Sequence, residues 1–350
     1  MHCRHSSYPA AGQRQRGAAL IVAMLVFALA TALVVAMKGD FNRFFQRSAN
    51  LLLEEQAQAY LRGAEDLAAM VLINDYDKDK TAGLQRDDLT EDWSPKEDQP
   101  APTYPLDNIG WMSGTLEDLQ GRFNLNSLAK RVKTDSIPVT QRYTAEQEQF
   151  IRLLQALGEP AVSQQEAEMI TESVSDWLDA DTNVSQDGAE DDYYYGRTPS
   201  YRAANRPMAS VSELRAVANM TPEIYQALQP WVTVWPAEPA KLNIHTAPAM
   251  VLRSINADKD LSPLSEAEGE SLAEYRKDVG FKDINDFFAN PVFDGKRENV
   301  AGVKNVLTQS SAYFLLSAEA EVAGRNMRLY SVLHRGNRRI DAVARASGSL

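Results

Sequence analysis

Apolar residues are gathered unevenly along this chain. From Ala18 to Met37 the run is broken by a single polar residue, Thr31. As a helix it rises about 30 Å, the thickness of a bilayer core. The helical period then continues through "FNRFFQRSANLLLEEQAQAYLRGAEDLAAMVLI", which has no proline and one glycine, Gly63. Phe41, Phe44, Phe45, Leu52, Gln56, Ala59 and Leu67 recur at helical spacing, with Gln56 the polar intruder. The pattern predicts one helix from Ala18 to about Ile73, roughly 84 Å long.

Beyond Ile73 the pattern breaks. "DYDKDKTAGLQRDDLTEDWSPKEDQPAPTYPLDN" is rich in Asp and Pro and reads as a loop or linker. "GWMSGTLEDLQGRFNLNSL", Gly110 to Leu128, predicts a strand, a turn at Gly121 and a second short strand. Helical patterns return over residues 144–178. The first stops at Gly158 and Pro160. The second puts Ile170, Val174, Trp177 and Leu178 on one face. Ser210 and Glu213 read as a capping box. Thr221 and Pro222 open a further helix that Pro230 closes. "KLNIHTAPAMVLRSI" and "SEAEGESLAEYRKDVGFKDINDFF" add two or three short helices. Alternation from Ser311 to Arg335 predicts a β-hairpin turning at Ala323–Asn326. The order is long helix, a little sheet, a helical block, then more sheet.

The formal charge of the 350 residues is −12, and residues 1–17 carry Arg4, Arg14 and Arg16 with no acid, so the remainder stands at −15. Such a body repels nucleic acid and anionic lipid and suits cations. Cys3 is the one cysteine and precedes the apolar run, so the rest has no disulfide, thiol nucleophile or cysteine-based zinc site. Arg14 and Arg16 favour a cytoplasmic N-terminus, with the bulk of the chain on the far side of the membrane.

The N-terminal run has three readings. A secretory signal could use Ala28 and Ala30 as a small-residue cleavage site, but the apolar run passes them unbroken to Met37. A simple anchor fits, yet it does not need the tight boundary at Gly17. A basic leader ending in Gly17, an apolar helix directly after it and an amphipathic extension together resemble a type IV prepilin leader. That resemblance implies cleavage between Gly17 and Ala18 by the prepilin peptidase, N-methylation, and retention of the helix. Pilin-like proteins usually carry Glu at mature position five, where it pairs with a neighbour's N-terminal amine; Val22 stands there in this chain. A buried Glu without a partner is costly. Its replacement is typical of the K-type minor pseudopilins of type II secretion (the general secretion pathway protein K family). The segment from Gly110 is also similar to that family's "GW-SG-L-D-QGRFNLN-L" pattern, and the resemblance runs from Arg14 to about Arg335.

The resemblance implies an α+β fold: a pilin-like long N-terminal transmembrane helix and a small antiparallel sheet, with a large all-α domain inserted into the sheet. The expected division is a cleaved leader 1–17, a helix 18–73 crossing the membrane at 18–37, a first part of the pilin-like domain at 74–140, a helical insert with helix-hairpin-helix or SAM-like segments at 141–300, and returning strands at 301–350. It also implies a place in the inner membrane with the bulk periplasmic, a position at the pseudopilus tip, and a part in starting pseudopilus assembly. The implied partners are the I- and J-type minor pseudopilins, with H beside them, and the inner-membrane assembly platform.

One stretch carries candidate ligand chemistry, "DWLDADTNVSQDGAEDDYYYGR". Counting from Asp179, the oxygen-bearing residues Asp181, Asn183, Asp187 and Glu190 fall at EF-hand ligand positions three, five, nine and twelve. Position six is Val184 rather than glycine, and no helix pattern follows, so this is no EF-hand. A solvated acidic loop is the plain alternative. The K-type family binds calcium around a similar stretch, so the resemblance implies structural Ca²⁺ held by Asp179, Asp181, Asp187, Glu190 and Asp191. "DYDKDKTAGLQRD" has an EF-like start at Asp75, Asp77 and Asp79, but Lys80 and Arg86 replace its glycine and glutamate, and it reads as a loop.

Two other functions are weighed. A DNA-uptake protein could use the degenerate helix-hairpin-helix pattern after Leu242. Its central turn is long and acidic, however, and the −15 body opposes phosphate, so no nucleic-acid partner is expected. A signal-anchored hydrolase would need a site, and His245 and His334 are the only histidines after the leader. No HExxH, phosphate loop or GxSxG is present, so no enzyme is expected.

Overall fold

A computed structural model describes residues 16–96, 99–107, 109–129 and 142–348. Most of the expected leader, and the expected start of the insert at 141, lie outside these residues. The chain divides into two compact units, up to Ala59 and from Tyr60 onward.

Helix α1 is Arg16–Ala82. It continues beyond Ile73 through Asp75–Lys80, where the composition predicts a loop. Tertiary pairing overrides the poor helix propensity of Asp there. Asp75 and Asp77 pair with Arg335 and Arg338, and Thr81 Oγ1 bonds the Asp77 carbonyl at 2.8 Å. The helix ends at Gly83, whose φ of +70° suits glycine. In the second unit, Leu61, Ala64, Ala68 and Leu72 form the buried stripe of α1, at the three- and four-residue spacing of one helix face. They pack on Leu116, Phe314, Leu316, Leu333 and Trp93. The two alanines let the helix approach the sheet closely. Full burial of Leu72 contributes about 2 kcal/mol.

Strands β1 (Thr103–Leu106) and β2 (Gly110–Asp118) follow. β1 lies in the stretch whose composition predicts a linker. It tolerates Pro105 because it is an edge strand. Next comes β3 (Phe123–Asn124). The strand, turn at Gly121 and second short strand thus follow the expected order, and β3 leaves for the helical block.

That block begins with α2 (Ala145–Ala156), α3 (Gln164–Leu178), α4 (Asp191–Tyr195) and α5 (Pro222–Leu228). Capping boxes start α2 at Thr144 and α3 at Ser163. The Ser210 box starts a short 3₁₀ helix, Val211–Ala216. β4 (Val232–Thr233) then pairs with β3 in parallel. One core covers residues from Phe123 to Val234, with Phe150, Ile170, Val174 and Leu214 fully or almost fully buried.

β5 (Leu242–Asn243) opens a second core, built on α6 (Ala249–Leu252), α7 (Glu266–Asp278), α8 (Ile284–Ala289) and α9 (Val300–Lys304). Its centre is an aromatic group of Phe281, Phe287, Phe288 and Phe293. β6 (Leu307–Thr308) closes it by pairing with β5 in parallel.

The chain finishes with β7 (Tyr313–Val322), β8 (Arg325–Gly336) and β9 (Arg339–Ala346). The sheet order is β1-β2-β7-β8-β9, antiparallel throughout. β2 and β7 are therefore direct neighbours, in register from Gly110–Val322 to Asp118–Phe314. The helical block is an insertion between two adjacent strands, and it runs from Leu119 to Ala312 rather than over 141–300. Burial alternates along β7 as a one-sided sheet requires. Ala323 and Gly324 take positive φ (51° and 77°), the geometry of a two-residue hairpin.

Candidate functional site

Three regions carry the residues singled out by the sequence. The first is the N-terminal part of α1. Here Val22 is 60 % exposed, and Phe27, Phe41, Phe44 and Phe45 are equally bare. A helix apolar on every side needs lipid or other helices around it. The one polar side chain between Ala18 and Met37 is satisfied internally, since Thr31 Oγ1 donates to the Phe27 carbonyl at 2.8 Å. Among the described residues this is the one helix long and apolar enough to cross a membrane. Gly17 and Ala18 lie in its first turn, and no side chain comes within 4 Å of a Cβ placed on Gly17.

The second region is the entry to the helical block, and it explains the "GW…GRFNLN" residues. Trp111 Nε1 donates to Glu321 Oε2 at 2.7 Å, locking β2 to β7. Gly121 lies against the backbone of Thr246, which a Cβ would meet at about 3 Å. Asn124 Nδ2 donates to the carbonyls of Pro236 and Glu238. Asn126 Nδ2 donates to Met208 and Val234, and its Oδ1 accepts from the Met208 N–H. These buried amides fasten the first core to the sheet end.

Asp118, the acid of the same "GW-SG-L-D-QGRFNLN-L" pattern, closes the same junction. It is buried at the end of β2. Oδ1 accepts the Gln120 N–H, capping a short 3₁₀ turn. Oδ2 accepts from Asn243 Nδ2, Thr246 Oγ1 and Ser311 Oγ. Burial pushes this carboxyl up to about 6, and the hydroxyl donors hold it from rising further.

The third region is the acidic loop between α3 and α4. Asp179 ends α3, and its Oδ1 accepts the Asp181 N–H. Asp181 Oδ1 accepts from the backbone and side chain of Asn183. Glu190 is 6 % exposed at the start of α4. Asp191 Oδ1 accepts the Ala203 N–H at 3.0 Å. Asp187 is held elsewhere, with Oδ2 at 2.7 Å from Arg142, which also pairs with Glu172. Gly188 lies against the buried Asp176 carboxylate, which leaves no room for a side chain.

Asn205 joins this region without any signal in the sequence. Its N–H bonds the Trp177 carbonyl and its Nδ2 bonds the Asp181 carbonyl. Its Oδ1 is buried and accepts no hydrogen bond. With Ala203 on Asp191, residues 203–205 tie both ends of the acidic loop together. The donors present are oxygens only, the chemistry a hard cation takes. Five carboxylates named from the sequence are thus placed around one loop, but no three are drawn within 4.8 Å of one another; among the described residues Asp75, Asp87 and Glu91 alone meet that condition.

Of the three adjacent tyrosines, Tyr194 is fully buried and meets Trp177 edge-on at 5.2 Å. Tyr193 and Tyr195 stay exposed under the guanidinia of Arg197 and Arg202. Asp75, Asp77 and Asp79 do not form an ion loop, because they sit on α1. His245 is 2 % exposed, and burial lowers it to about 4, so it is a neutral packing residue. The guanidinia near the hairpin-like segment are spent on carbonyls: Arg253 on Leu264 and Ala156, Arg276 on Ile244 and Ala247. That leaves them unavailable for phosphate.

Two family models described as "Type II secretion system (T2SS), protein K" match residues 121–237 and 242–308, which coincide with the two cores of the helical block. The Type II secretion system protein K of Pseudomonas aeruginosa is 33% identical over 95% of this chain and 93% of its own length. That of Aeromonas hydrophila is 32% identical over 93% and 94%. A similar solved structure comes from the GspK-GspI-GspJ complex of the enterotoxigenic Escherichia coli Type 2 Secretion System. It has a TM-score of 0.71 and 28% identity, over 87% of this chain and all of that one. With the pilin-like helix and sheet, the insertion between β2 and β7 and these relatives, the chain belongs to the type II secretion system protein K family, the K-type minor pseudopilins.

Proposed function

We propose that this minor pseudopilin occupies the tip of the type II secretion pseudopilus and helps to start its assembly. The observation that carries the reading is the insertion of the whole helical block between the neighbouring strands β2 and β7. A subunit within a helical stack has neighbours above and below it, and so large an insert fits best where one side is free. Val22 supports the same place, since a first subunit has no amine opposite mature position five. The prepilin peptidase would cut between Gly17 and Ala18, α1 would anchor the chain in the inner membrane, and the rest would stand in the periplasm. Partners would be the I- and J-type minor pseudopilins, with H below them, and the assembly platform. The similar E. coli chain was solved in complex with GspI and GspJ, which supports I and J as partners.

Calcium belongs to the same proposal. Asp179, Asp181, Glu190 and Asp191, with Asn205 Oδ1 and a reoriented Asp187, would hold it. When bound, Ca²⁺ would neutralise a self-repelling loop and fix it between α3 and α4; its role is structural. The reading is tested by copurification of the mature protein with I- and J-type pseudopilins, and by cysteine crosslinks along α1. Crosslinks to copies of the major pseudopilin on both sides would place the subunit inside the filament and overturn the tip position.

A further inference from the structure

The carboxylate of Asp187 is held by a cation that the chain itself supplies. Arg142 stands just before the Thr144 cap of α2. Its Nη2 lies 2.7 Å from Asp187 Oδ2 and 2.6 Å from Glu172 Oε1, and its Nε also donates to Glu172 Oε1. The guanidinium lies over the Tyr143 ring, 5.0 Å from its centre. The side chains of Arg142 and Asp187 are 37 % and 41 % exposed, so water weakens their pair and leaves it open to exchange.

The backbone around Asp187 is fixed independently of that pair. The Asp187 N–H donates to Glu172 Oε2 at 2.6 Å. Ser185 donates its N–H and its hydroxyl to the buried Asp176 carboxylate. Gly188 lies against the same carboxylate, and its N–H bonds the Ser185 carbonyl. Glu172 and Asp176 are one turn apart on α3, so both anchors belong to one rigid element. With the main chain fastened, the Asp187 carboxylate changes partner by side-chain rotation between staggered wells.

We propose that Arg142 is a resident counter-ion that competes with calcium for Asp187: the ion fills the acidic loop by taking this carboxylate from the guanidinium, and Arg142 stays behind on Glu172. The inference rests on the calcium reading above. While Asp187 is paired with Arg142 its charge is partly spent, and a guanidinium beside the loop repels a second cation. Both effects raise the calcium concentration needed to fill the loop. Glu172 is 6 % exposed and keeps its partner after the exchange, so no buried carboxylate is left bare. The opposite arrangement would have Arg142 hold one Asp187 oxygen and aim the other at the ion, as outer partners of metal ligands do. An aimed carboxylate would already stand among its fellow ligands. Among the described residues, no trio of carboxylates that includes Asp187 lies within 4.8 Å.

The two arrangements differ in sign, and a calcium titration separates them. Calcium chloride is added to the full chain in detergent, stripped beforehand with EDTA. Calorimetry and the rise in melting temperature both read the half-saturating concentration. Arg142→Gln should fill at about fivefold lower calcium than the wild type, the scale of one half-exposed ion pair. Asp187→Asn should need more calcium, and adding Arg142→Gln to it should change its value less than about twofold, because the contested carboxylate is gone. If Asp187→Asn takes up no calcium, Asp187 is a ligand the ion cannot do without, and the comparison of Arg142→Gln with the wild type decides. Arg142→Lys keeps the charge without the planar fork. Its value should fall between wild type and Gln, and it decides the matter if the Gln variant does not fold. Unchanged or weaker calcium binding in the Arg142 variants overturns the exchange while leaving calcium in the loop. A gain of the same size in the Asp187→Asn background overturns it too, since Arg142 then acts by charge alone. If neither the wild type nor the Arg142 variants take up calcium, the calcium reading itself falls, and the exchange falls with it.

Discussion

Ser311 donates its hydroxyl proton to Asp118 Oδ2 at 2.6 Å, although the two residues lie 193 positions apart in the chain. The bond joins the last residue of β2 to the residues just before β7, so it closes the base of the insertion. Thr246 and Asn243 reach the same oxygen from the start of the second core. One carboxylate thus holds both ends of the insert and one of its cores.

Removing that carboxylate strands four donors. Asp118→Ala is expected to cost about 3 kcal/mol, since hydrogen bonds to a charged acceptor contribute about 1.5–3 kcal/mol each and the gaps relax only in part. Asp118→Asn separates charge from shape. Burial raises the Asp118 carboxyl to about 6, so the wild type should lose stability as pH rises from about 4 to about 6. The Asn variant should lack that decline. Melting curves over this range decide the point, and identical pH profiles for the two proteins would reject it.

Much of this arrangement is legible in the sequence, and the rest is hidden for physical reasons. The helix, the capping box at Ser210 and the β7–β8 hairpin all follow from local periodicity and cap chemistry. The end of α1 does not, because Asp75–Lys80 is helical through pairing with Arg335 and Arg338, far away in the chain. The direction of β3 is hidden because a two-residue strand has no period to read, and its partner β4 lies more than a hundred residues on. Asp118 stands in the "GW-SG-L-D-QGRFNLN-L" pattern, but its role is not readable there, because its partners Asn243, Thr246 and Ser311 lie far along the chain; Asn205 carries no local signal. In the acidic loop the residue types are visible in the sequence, but the diversion of Asp187 to Arg142 is not.

Processing should depend on Gly17. A small residue fits a peptidase cleft directly before the apolar helix, so Gly17→Leu should leave full-length protein in the membrane. N-terminal sequencing and intact mass of the wild type should give N-methylated Ala18. A mature terminus at Thr31 would mean that a signal peptidase, and not a prepilin peptidase, acts on this chain.

Val22→Glu should not improve assembly. A carboxylate in the bilayer core costs about 3 kcal/mol unless a partner meets it, and a first subunit has no amine to offer. Secretion assays and pseudopilus counts would show equal or reduced function. A gain in assembly would mean that an amine does wait opposite residue 22, and the tip position would fall.

Calcium should stabilise the acidic loop. Asp179, Asp181, Asp187, Glu190 and Asp191 lie in a short, mostly exposed stretch. At ~5 Å, two unit charges repel by roughly 0.8 kcal/mol even in water, and more where Glu190 is buried. Without a cation the loop should open and the Trp177 end of α3 should loosen. With calcium, the gain should follow RT ln(1 + [Ca²⁺]/Kd). Sites of the extracellular type bind at about 10⁻⁴ to 10⁻³ M, so the rise in melting temperature should appear near millimolar calcium. Magnesium should substitute poorly, because it demands a tighter octahedral shell. Asn205 sharpens the test: its buried Oδ1 is a neutral donor, so Asn205→Ala should weaken the calcium response without easing the repulsion among the carboxylates. Asp181→Ala with Glu190→Ala should instead raise stability in EDTA and abolish the response. Melting curves in EDTA and then in calcium, on the wild type and these variants, measure both effects. An equal calcium shift in all three proteins would place the ion outside this loop and leave its carboxylates a solvated surface.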